Sequence, residues 1–495
     1  MTRTSAQELI DDVLDPGSYQ SWDSPPEYHD ISEDYRASLA RAREKSGVDE
    51  SVITGEGTIN GQAVAVVLSE FGFLGGSIGA ATARRIIDAI HKATDQRLPL
   101  LISPSSGGTR MQEGTPAFAL MVSITTAVYR HKDAHLPFMV YLRNPTTGGV
   151  MASWGSAGHI TYAEPDALLG FLGPRVVELT TGRTIESHIQ SGEHLAASGV
   201  IDGVIPPEQL AASVSKLMRI LQAPSPRAEE EPPAAPAPGP TPPSAWESIT
   251  ATREDDRPGL GDLLNALGED NFIELSGSGD GRTSQAIRIV LARMFDQPVV
   301  IIGQDRHQQP PIAQEEMGNA ALRVARRGIQ LAHELKIPLI SVVDTPGAEL
   351  SAEAETGGMA GSIARTLSEL VSVDVPTVSV ILGQGCGGGA LAMLPADIVL
   401  AAEHGWLSPL PPEGASAIIY RDTEHAPQMM EEQGVQAAQL LAAGVIDRIV
   451  PEHDGLIEAV LAHIHKALWD LHTAPQRVGR EQRMRHYEKL ADRLS

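Results

Sequence analysis

A chain of 495 residues exceeds what one hydrophobic core serves, so two or more domains are expected. With 42% hydrophobic and 20% charged residues the composition is that of an ordinary globular protein, and a net charge of −25 with only short Arg clusters excludes a nucleic-acid groove. Cys386 is the single cysteine, which excludes an intrachain disulfide and a Cys-based zinc site.

Residues 1–50 read as a polar lead-in with no apolar signal-peptide core, and no later stretch approaches the roughly 18 apolar residues of a spanning helix. A cytoplasmic protein with no membrane partner is expected. A first domain is expected over 51–222. After "GGSIG" (75–79) comes a Gly-led helix, then a buried strand following Leu98-Pro99 and the turn "SPSSGGTR". A second helix, the strand in "LPFMVYLR" and the turn "NPTTGGVM" opening a third helix complete the pattern. Residues 224–243 hold nine prolines in twenty positions, which marks 223–245 as an extended, semi-rigid linker. A second domain is expected over 246–475, where "DTPGAE", "VPTVSVIL" and "GQGCGGGA" take the same places in order. Residues 476–495 read as a charged terminal helix. His463 and His465 read as surface helix, and no HExxH-like ligand set occurs, so no metal is expected.

The two halves repeat. "IGAATARRIIDAIHKATDQRLPLLI" from Ile78 answers "MGNAALRVARRGIQLAHELKIPLIS" from Met317, 239 positions later, and the same offset joins Pro99 to Pro338, Gly108 to Gly347, Pro137 to Pro376 and Glu164 to Glu403. By Ile201 and Ile446 the offset has slipped to 245. Short apolar strands alternating with helices predict an α/β fold whose sheets are covered on both faces.

Three motif matches lead elsewhere and fail. Gly383, Gly385 and Gly388 satisfy G-x-G-x-x-G after a predicted strand at 375–382, but the first-half counterpart keeps only Gly-Gly. "DTPG" at Asp344–Gly347 resembles a GTPase turn, yet the chain has no P-loop. "GGSIG" fits a nucleophile elbow without the strand that must precede it, so Ser77 reads as a helix N-cap.

What remains is a Gly-Gly turn at a helix start in each half. Adjacent backbone amides there can point into one cavity and hold a developing oxyanion, helped by the helix dipole, and glycine admits a close ligand. Tight packing alone would explain one such pair. Two at matching places in a duplicated fold suggest two oxyanion sites.

Several motifs carry a family resemblance. "FLGGSIG", "SPSSGGTRMQEG", "NPTTGGVMASW" and "AEPDALLGFLGPRVVE" resemble, in order, the β subunit of the carboxyltransferase of bacterial acetyl-CoA carboxylase. "PLISVVDTPGAE", "EAETGGMAGSIART", "GQGCGGGALAML" and "LSPLPPEGASAIIYRD" resemble its α subunit, fused behind the first. The resemblance implies two tandem crotonase-like ββα spiral domains and transfer of a carboxyl group from carboxybiotin, borne by a separate biotin carboxyl carrier protein and loaded by a biotin carboxylase, to acetyl-CoA or a close short acyl-CoA. The product would be malonyl-CoA for fatty-acid synthesis. It assigns the enolate oxygen to the amides of Gly148 and Gly149 and the biotin ureido oxygen to those of Gly388 and Gly389. Gly387 and Ala390 flank the latter pair, and the strict 239 offset would select Gly387 in its place. Gly107, Gly108 and Gly347 would shape the neighbouring turns, and Arg84, Arg85 and Arg110 would meet CoA phosphates. A homodimer or dimer-based oligomer is implied, with the first half of one protomer facing the second half of another. Two features depart from the family: one cysteine cannot build the β subunit's zinc ribbon, so no zinc is expected, and "QDRHQQPPIAQEEMG" (304–318) lacks the α subunit's basic run. A malonate decarboxylase-type pair and a non-catalytic scaffold subunit are the alternatives.

Overall fold

The computed structural model describes residues 3–224, 230–242, 244–307, 317–453 and 455–494. Two compact units form: Met1–Arg219 with Gly279–Gly281, and Ile220–Ser278 with Arg282–Ser495.

In the first unit the polar lead-in is structured. Ser5 and Glu8 form a capping box that starts helix α1 (Ala6–Val13), which buries Leu9, Ile10 and Val13. Strand β1 (Gln20–Ser21) is followed by helix α2 (Glu33–Ser46), capped by Ser32 and stopped by Gly47 at φ 75°. Strands β2 (Val52–Ile59) and β3 (Gln62–Ser69) form a hairpin across Asn60-Gly61, both at positive φ as a two-residue turn requires. Then come α3 (Ala80–Asp95), β4 (Leu100–Ser103), α4 (Gly114–Asp133), β5 (Phe138–Leu142), β6 (Thr146–Thr147), α5 (Gly148–Met151), β7 (Ile160–Ala163), β8 (Leu169–Gly170) and β9 (Gly203–Val204). The sheet runs β1-β2-β3-β4-β5-β7-β9, antiparallel to β3 and parallel beyond it, while β6 and β8 make a separate parallel ribbon. Every residue of β4 and β5 is buried, and α3 turns Ala83, Ile86, Ala89, Ile90 and Ala93 onto that core. Each fully buried Ile or Phe there contributes roughly 1.5–3 kcal/mol.

The second unit repeats the plan with strands β10 (Phe272–Leu275), β11 (Arg288–Met294), β12 (Gln297–Gly303), β13 (Leu339–Thr345), β14 (Thr377–Cys386), β15 (Ile398–Ala402), β16 (Trp406–Ser408) and β17 (Arg448–Val450). Their order is β10-β11-β12-β13-β14-β15-β17, with β16 pairing the end of β14. Helix Asn319–Leu335 answers α3, and helix Gly387–Leu391 answers α5. Helix Leu456–Thr473 packs Val460 and Ile464 on the same core as Val342, Val380 and Leu400.

The histidines of that helix correct the surface reading. His463 is buried with Nε2 3.0 Å from the Pro236 carbonyl oxygen, and the His465 ring stacks on Phe295 with centroids 4.0 Å apart. Residues 230–242 of the proline-rich stretch also lie against this unit, where the Pro242 carbonyl accepts from Gln436 and Glu231 pairs with Lys466. A proline-rich segment keeps its carbonyls while lacking amide donors, so side-chain donors hold it. Residues 225–229 and 243 of that stretch, and 308–316 of the segment that lacks the basic run, lie outside the described residues.

Candidate active site: two glycine turns

In the first unit, three loops meet above the ends of β4 and β5. Ile78, just before α3, forms a parallel bridge with Thr109, and the Ile78 N–H donates to the Gly108 carbonyl at 2.9 Å. Ser106 Oγ accepts the Gly108 N–H at 3.0 Å, and Gly75 O accepts the Gly107 N–H at 2.9 Å. Gly108 (φ 111°) and Gly148 (φ 66°) then face one another so closely that a Cβ on Gly148 would lie 3.2 Å from the Gly108 Cα. Both positions need glycine, for φ and for space. Gly149 follows on the first turn of α5, where amides lack partners within their own helix.

The second unit builds the same object. Met317 bridges Ala348, Thr345 Oγ1 accepts the Gly347 N–H at 3.3 Å, and Gly347 and Gly387 stand at φ 149° and 63°. Each counterpart lies 239 residues after its first-unit equivalent. Beside this turn opens a cavity of about 640 Å³, with Gly387 and Gly388 in its wall and Pro346, Leu350, Trp406 and Leu410 making it apolar. The glycines read as a dinucleotide motif have local reasons. A Cβ at Gly383 would lie 2.5 Å from Asp344 Oδ1, and one at Gly385 would lie 2.4 Å from the Trp406 carbonyl oxygen.

Residues 2–490 match the model of the carboxyl transferase domain. The chain belongs to that family. Over 500 residues it is 50% identical to the "Probable biotin-dependent acyl-coenzyme A carboxylase beta3 subunit" of Mycobacterium tuberculosis (strain ATCC 25618 / H37Rv), covering 99% of each chain. It is 34% identical over 516 residues to the "Acetyl-coenzyme A carboxylase carboxyl transferase subunits beta/alpha" of Salinispora arenicola (strain CNS-205), covering 98% of this chain and 91% of the relative. A crystal structure of transcarboxylase 12S superposes with TM-score 0.75 at 21% identity, over 95% of this chain and 90% of the other. That likeness establishes the fold, α/β with two tandem crotonase-like spirals.

Within the carboxyl transferase fold, several expected site residues stand differently from their sequence reading. The Gly148 N–H donates to the Phe171 carbonyl oxygen at 2.9 Å, a bond made as β6 and β8 come together, so of that pair the Gly148 amide is already engaged within the fold. By position Gly148 matches Gly387 and Gly149 matches Gly388; Gly389 and Ala390 follow, both buried. Ser77 caps nothing. Gly79 holds the N-cap of α3, and Glu113 Oε2 takes the Ala80 N–H at 2.6 Å, a carboxylate at the positive end of the helix dipole.

Two of the three arginines expected at CoA phosphates are buried and paired with carboxylates. Arg110 is fully buried, with its guanidinium on both Glu50 oxygens (3.0 and 2.5 Å), the Ser77 carbonyl (2.8 Å) and Thr82 Oγ1 (3.1 Å). Burial would raise the Glu50 pKa, but the bonds and charge of Arg110, with the Tyr28 hydroxyl at 2.5 Å, hold it below the ordinary carboxylate range. Tyr35 bonds Glu113 at 2.5 Å, and burial first, then that carboxylate, push its phenol well above the usual value. Arg85 is buried against Asp49 (2.9 and 3.0 Å) and Asp23 (3.4 Å). Arg84 is the exposed one of the three, and with Arg85 and Lys92 it lines a cavity of about 750 Å³ between α3 and residues 22–29.

The sequence reading also missed the support of the second turn. Gln304, fully buried at the end of β12, accepts the Asp344 N–H at 2.7 Å and donates from Nε2 to the Gly389 carbonyl at 3.4 Å. The Asp344 carboxylate accepts the Gln384 N–H at 2.9 Å and is gripped by Arg306 at 2.6 and 2.8 Å. Burial works against the Arg306 charge, yet the bonds to Asp344 outweigh it and raise its pKa. Among the described residues, no three His, Cys, Asp or Glu side chains gather as a metal site, and no helix is long and apolar enough to cross a membrane.

Proposed function

We propose that the protein transfers a carboxyl group from carboxybiotin, carried on a separate carrier protein, to the α-carbon of an acyl-CoA. Acetyl-CoA or a close short acyl-CoA is the acceptor, giving malonyl-CoA or its homologue. The repeated glycine turn carries this reading, because it offers two anion-stabilising positions for a reaction that develops negative charge on two oxygens. The relatives named for biotin-dependent acyl-CoA carboxylation and for acetyl-CoA carboxylase support it.

Carboxybiotin supplies the carboxyl group, and its ureido nitrogen, once freed, is the base for the α-proton. The chain's own residues do the rest. The Gly149 amide, at the start of α5, stabilises the oxygen of the thioester enolate. The Gly388 and Gly389 amides receive the charge that develops on the ureido oxygen, and the apolar cavity beside them excludes water from the bicyclic ring. Each such donor is worth roughly 3–4 kcal/mol in the transition state. Gly107, Gly108 and Gly347 shape the walls of the two turns. We assign no CoA contact to Arg85 or Arg110, whose donors are engaged inside the fold.

The acting form is a dimer or dimer-based oligomer. Met111, Phe118, Val122 and Tyr129 line one side of α4 and the turn before it, each more than half exposed, an apolar stripe that a single subunit leaves in water. A biotin carboxylase and its carrier are the expected partners.

The test is carboxyl exchange: purified protein with malonyl-CoA and biocytin, following acetyl-CoA release. Release that depends on biocytin upholds the reading. An assembled oligomer that releases nothing, even with biotinylated carrier, refutes it and favours a decarboxylase or scaffold role.

A further inference from the structure

The charged terminal helix Arg480–Leu494 takes no part in either glycine turn. Two of its residues pin it to the second unit. Arg483, fully buried, donates to the carbonyls of Leu370 (3.0 Å), Val373 (2.8 Å) and Val375 (2.9 Å) and to Asp397 Oδ2 (2.8 Å). Tyr487 Oη accepts the Ala396 N–H at 3.1 Å. These two stand four positions apart, on one face of the helix. Arg485, His486 and Lys489 lie on another face, and there the helix closes one side of a cavity of about 610 Å³. The other side is made by the end of helix Leu456–Thr473 and by Arg448, the first residue of β17.

Four Arg and Lys side chains in this wall meet three Asp side chains, and each acid is already engaged. Asp397 is held by Arg483, Asp470 by Arg448 and by Lys466 at 3.2 Å, and Asp447 Oδ2 takes the Val399 N–H at 2.7 Å. The cations of the terminal helix are not engaged in this way. Arg485 reaches Glu481 at 3.8 Å with both side chains more than half exposed, and Lys489 makes no ion pair among the described residues. Arg485 and Lys489 also stand four apart, where like charges repel, in a chain whose net charge is −25. Arg448 Nη1 and Arg483 Nε are buried without a hydrogen-bond partner, against one such acceptor, Asp397 Oδ1. The wall therefore holds more donors and more positive charge than the fold uses.

Arginine grips phosphate in a bidentate fork and lysine meets it as a point charge. Cations on two sides of one cavity suit two linked phosphoryl groups better than one. The wall is polar save for Ile398, Leu471 and Ala474, so it offers no seat for an acyl chain. We propose that this cavity binds a small anion bearing a diphosphate group, held by Arg485 and Lys489 from the terminal helix with Arg448 opposite. The site is separate from both glycine turns and does not depend on the carboxyl-transfer reading.

The test is calorimetric titration of pyrophosphate, ADP and inorganic phosphate, each separately, into the full chain and three variants. Pyrophosphate is expected to bind, with inorganic phosphate about tenfold weaker or more. Arg485→Glu/Lys489→Glu is expected to weaken diphosphate binding about tenfold or more, the worth of a lost charge-assisted bond. The neutral pair Arg485→Gln/Lys489→Gln is expected to weaken it about threefold, which covers misfolding of the reversal. Arg480→Glu reverses an exposed charge of the same helix outside the cavity and is expected to stay within about twofold of the parent. CoA affinity and biocytin-dependent exchange are expected to be unchanged in all three. Pyrophosphate binding without ADP binding assigns the site to the free anion, and ADP binding at least as tight assigns it to a nucleoside diphosphate.

No binding of either diphosphate, or unchanged affinity in both pairs, overturns the site. So does an equal loss in Arg480→Glu, which would mark a diffuse charge effect. Inorganic phosphate binding as tightly as pyrophosphate overturns the assignment to a diphosphate. Loss of CoA affinity in step with diphosphate affinity in the neutral pair would place the diphosphate in the acyl-CoA site and sink the separate cavity. Exchange inactivity of the parent bears on carboxyl transfer alone.

Discussion

Gln304→Leu is the sharpest perturbation the second turn offers. Leucine fills nearly the same buried volume but leaves the Asp344 N–H, now 2.7 Å from Gln304 Oε1, with no acceptor in the core. An orphaned buried donor costs about 1–3 kcal/mol, and the longer 3.4 Å bond to the Gly389 carbonyl adds up to about 1. The total of about 1–4 kcal/mol is a large share of a typical 5–15 kcal/mol stability. The strain has a path to the site: relaxing residue 344 moves the carboxylate that holds the Gln384 N–H, three residues before Gly387. A misplacement near 1 Å costs on the order of 100-fold in rate. Denaturant unfolding is therefore expected to show the stability loss, and exchange kinetics a 10- to 100-fold fall in kcat/KM for biocytin with KM for acyl-CoA unchanged. Equal losses toward both substrates, or a stability within 0.5 kcal/mol of the parent, would refute the idea that Gln304 positions the biotin-side turn.

Further tests follow from the first unit. Glu50→Leu strands the Arg110 charge in the interior and should cost roughly 3–5 kcal/mol in urea unfolding, whereas Glu50→Leu/Arg110→Met should cost less than the single change. His131 is buried and its pKa is pushed down to about 4, chiefly by that burial. The unfolded ring titrates near 6.5, so its neutral folded form favours stability above that pH, and about 3 kcal/mol is lost as pH falls from 6.5 to 4. His131→Phe should flatten that acid limb in pH-dependent melting. Gly148→Ala combines φ 66° with a Cβ only 3.2 Å from backbone, so it should destabilise by about 1–3 kcal/mol, while Gly149→Ala meets Met121 at an ordinary 3.4 Å and should fold nearly as well as the parent.

The duplication was legible because it is written in spacing. Ile78 with Thr109 and Met317 with Ala348 form the same bridge at the same offset, and proline and glycine punctuation alone aligned them. What stayed hidden depends on partners far away in the chain. Arg85 and Arg110 looked available to CoA phosphates because the acids that bury them, Asp49 and Glu50, sit in a stretch that reads as a polar lead-in. The bond from Gly148 to Phe171 requires the pairing of two-residue strands, too short to leave a periodic signal. Asp344 was noticed for a resemblance it does not fulfil. Its work of holding Gln384 shows only when β13 and β14 lie side by side.

Both glycine turns present main-chain groups rather than side chains, and that changes how their function can be lost. No substitution outside proline removes an amide, so damage at these positions comes from moving the donor or filling the space before it. Variants should then rank by size and torsional fit rather than by acidity or nucleophilicity. Reagents aimed at nucleophilic side chains should leave the turns alone, including thiol reagents, since Cys386 beside the second turn is buried.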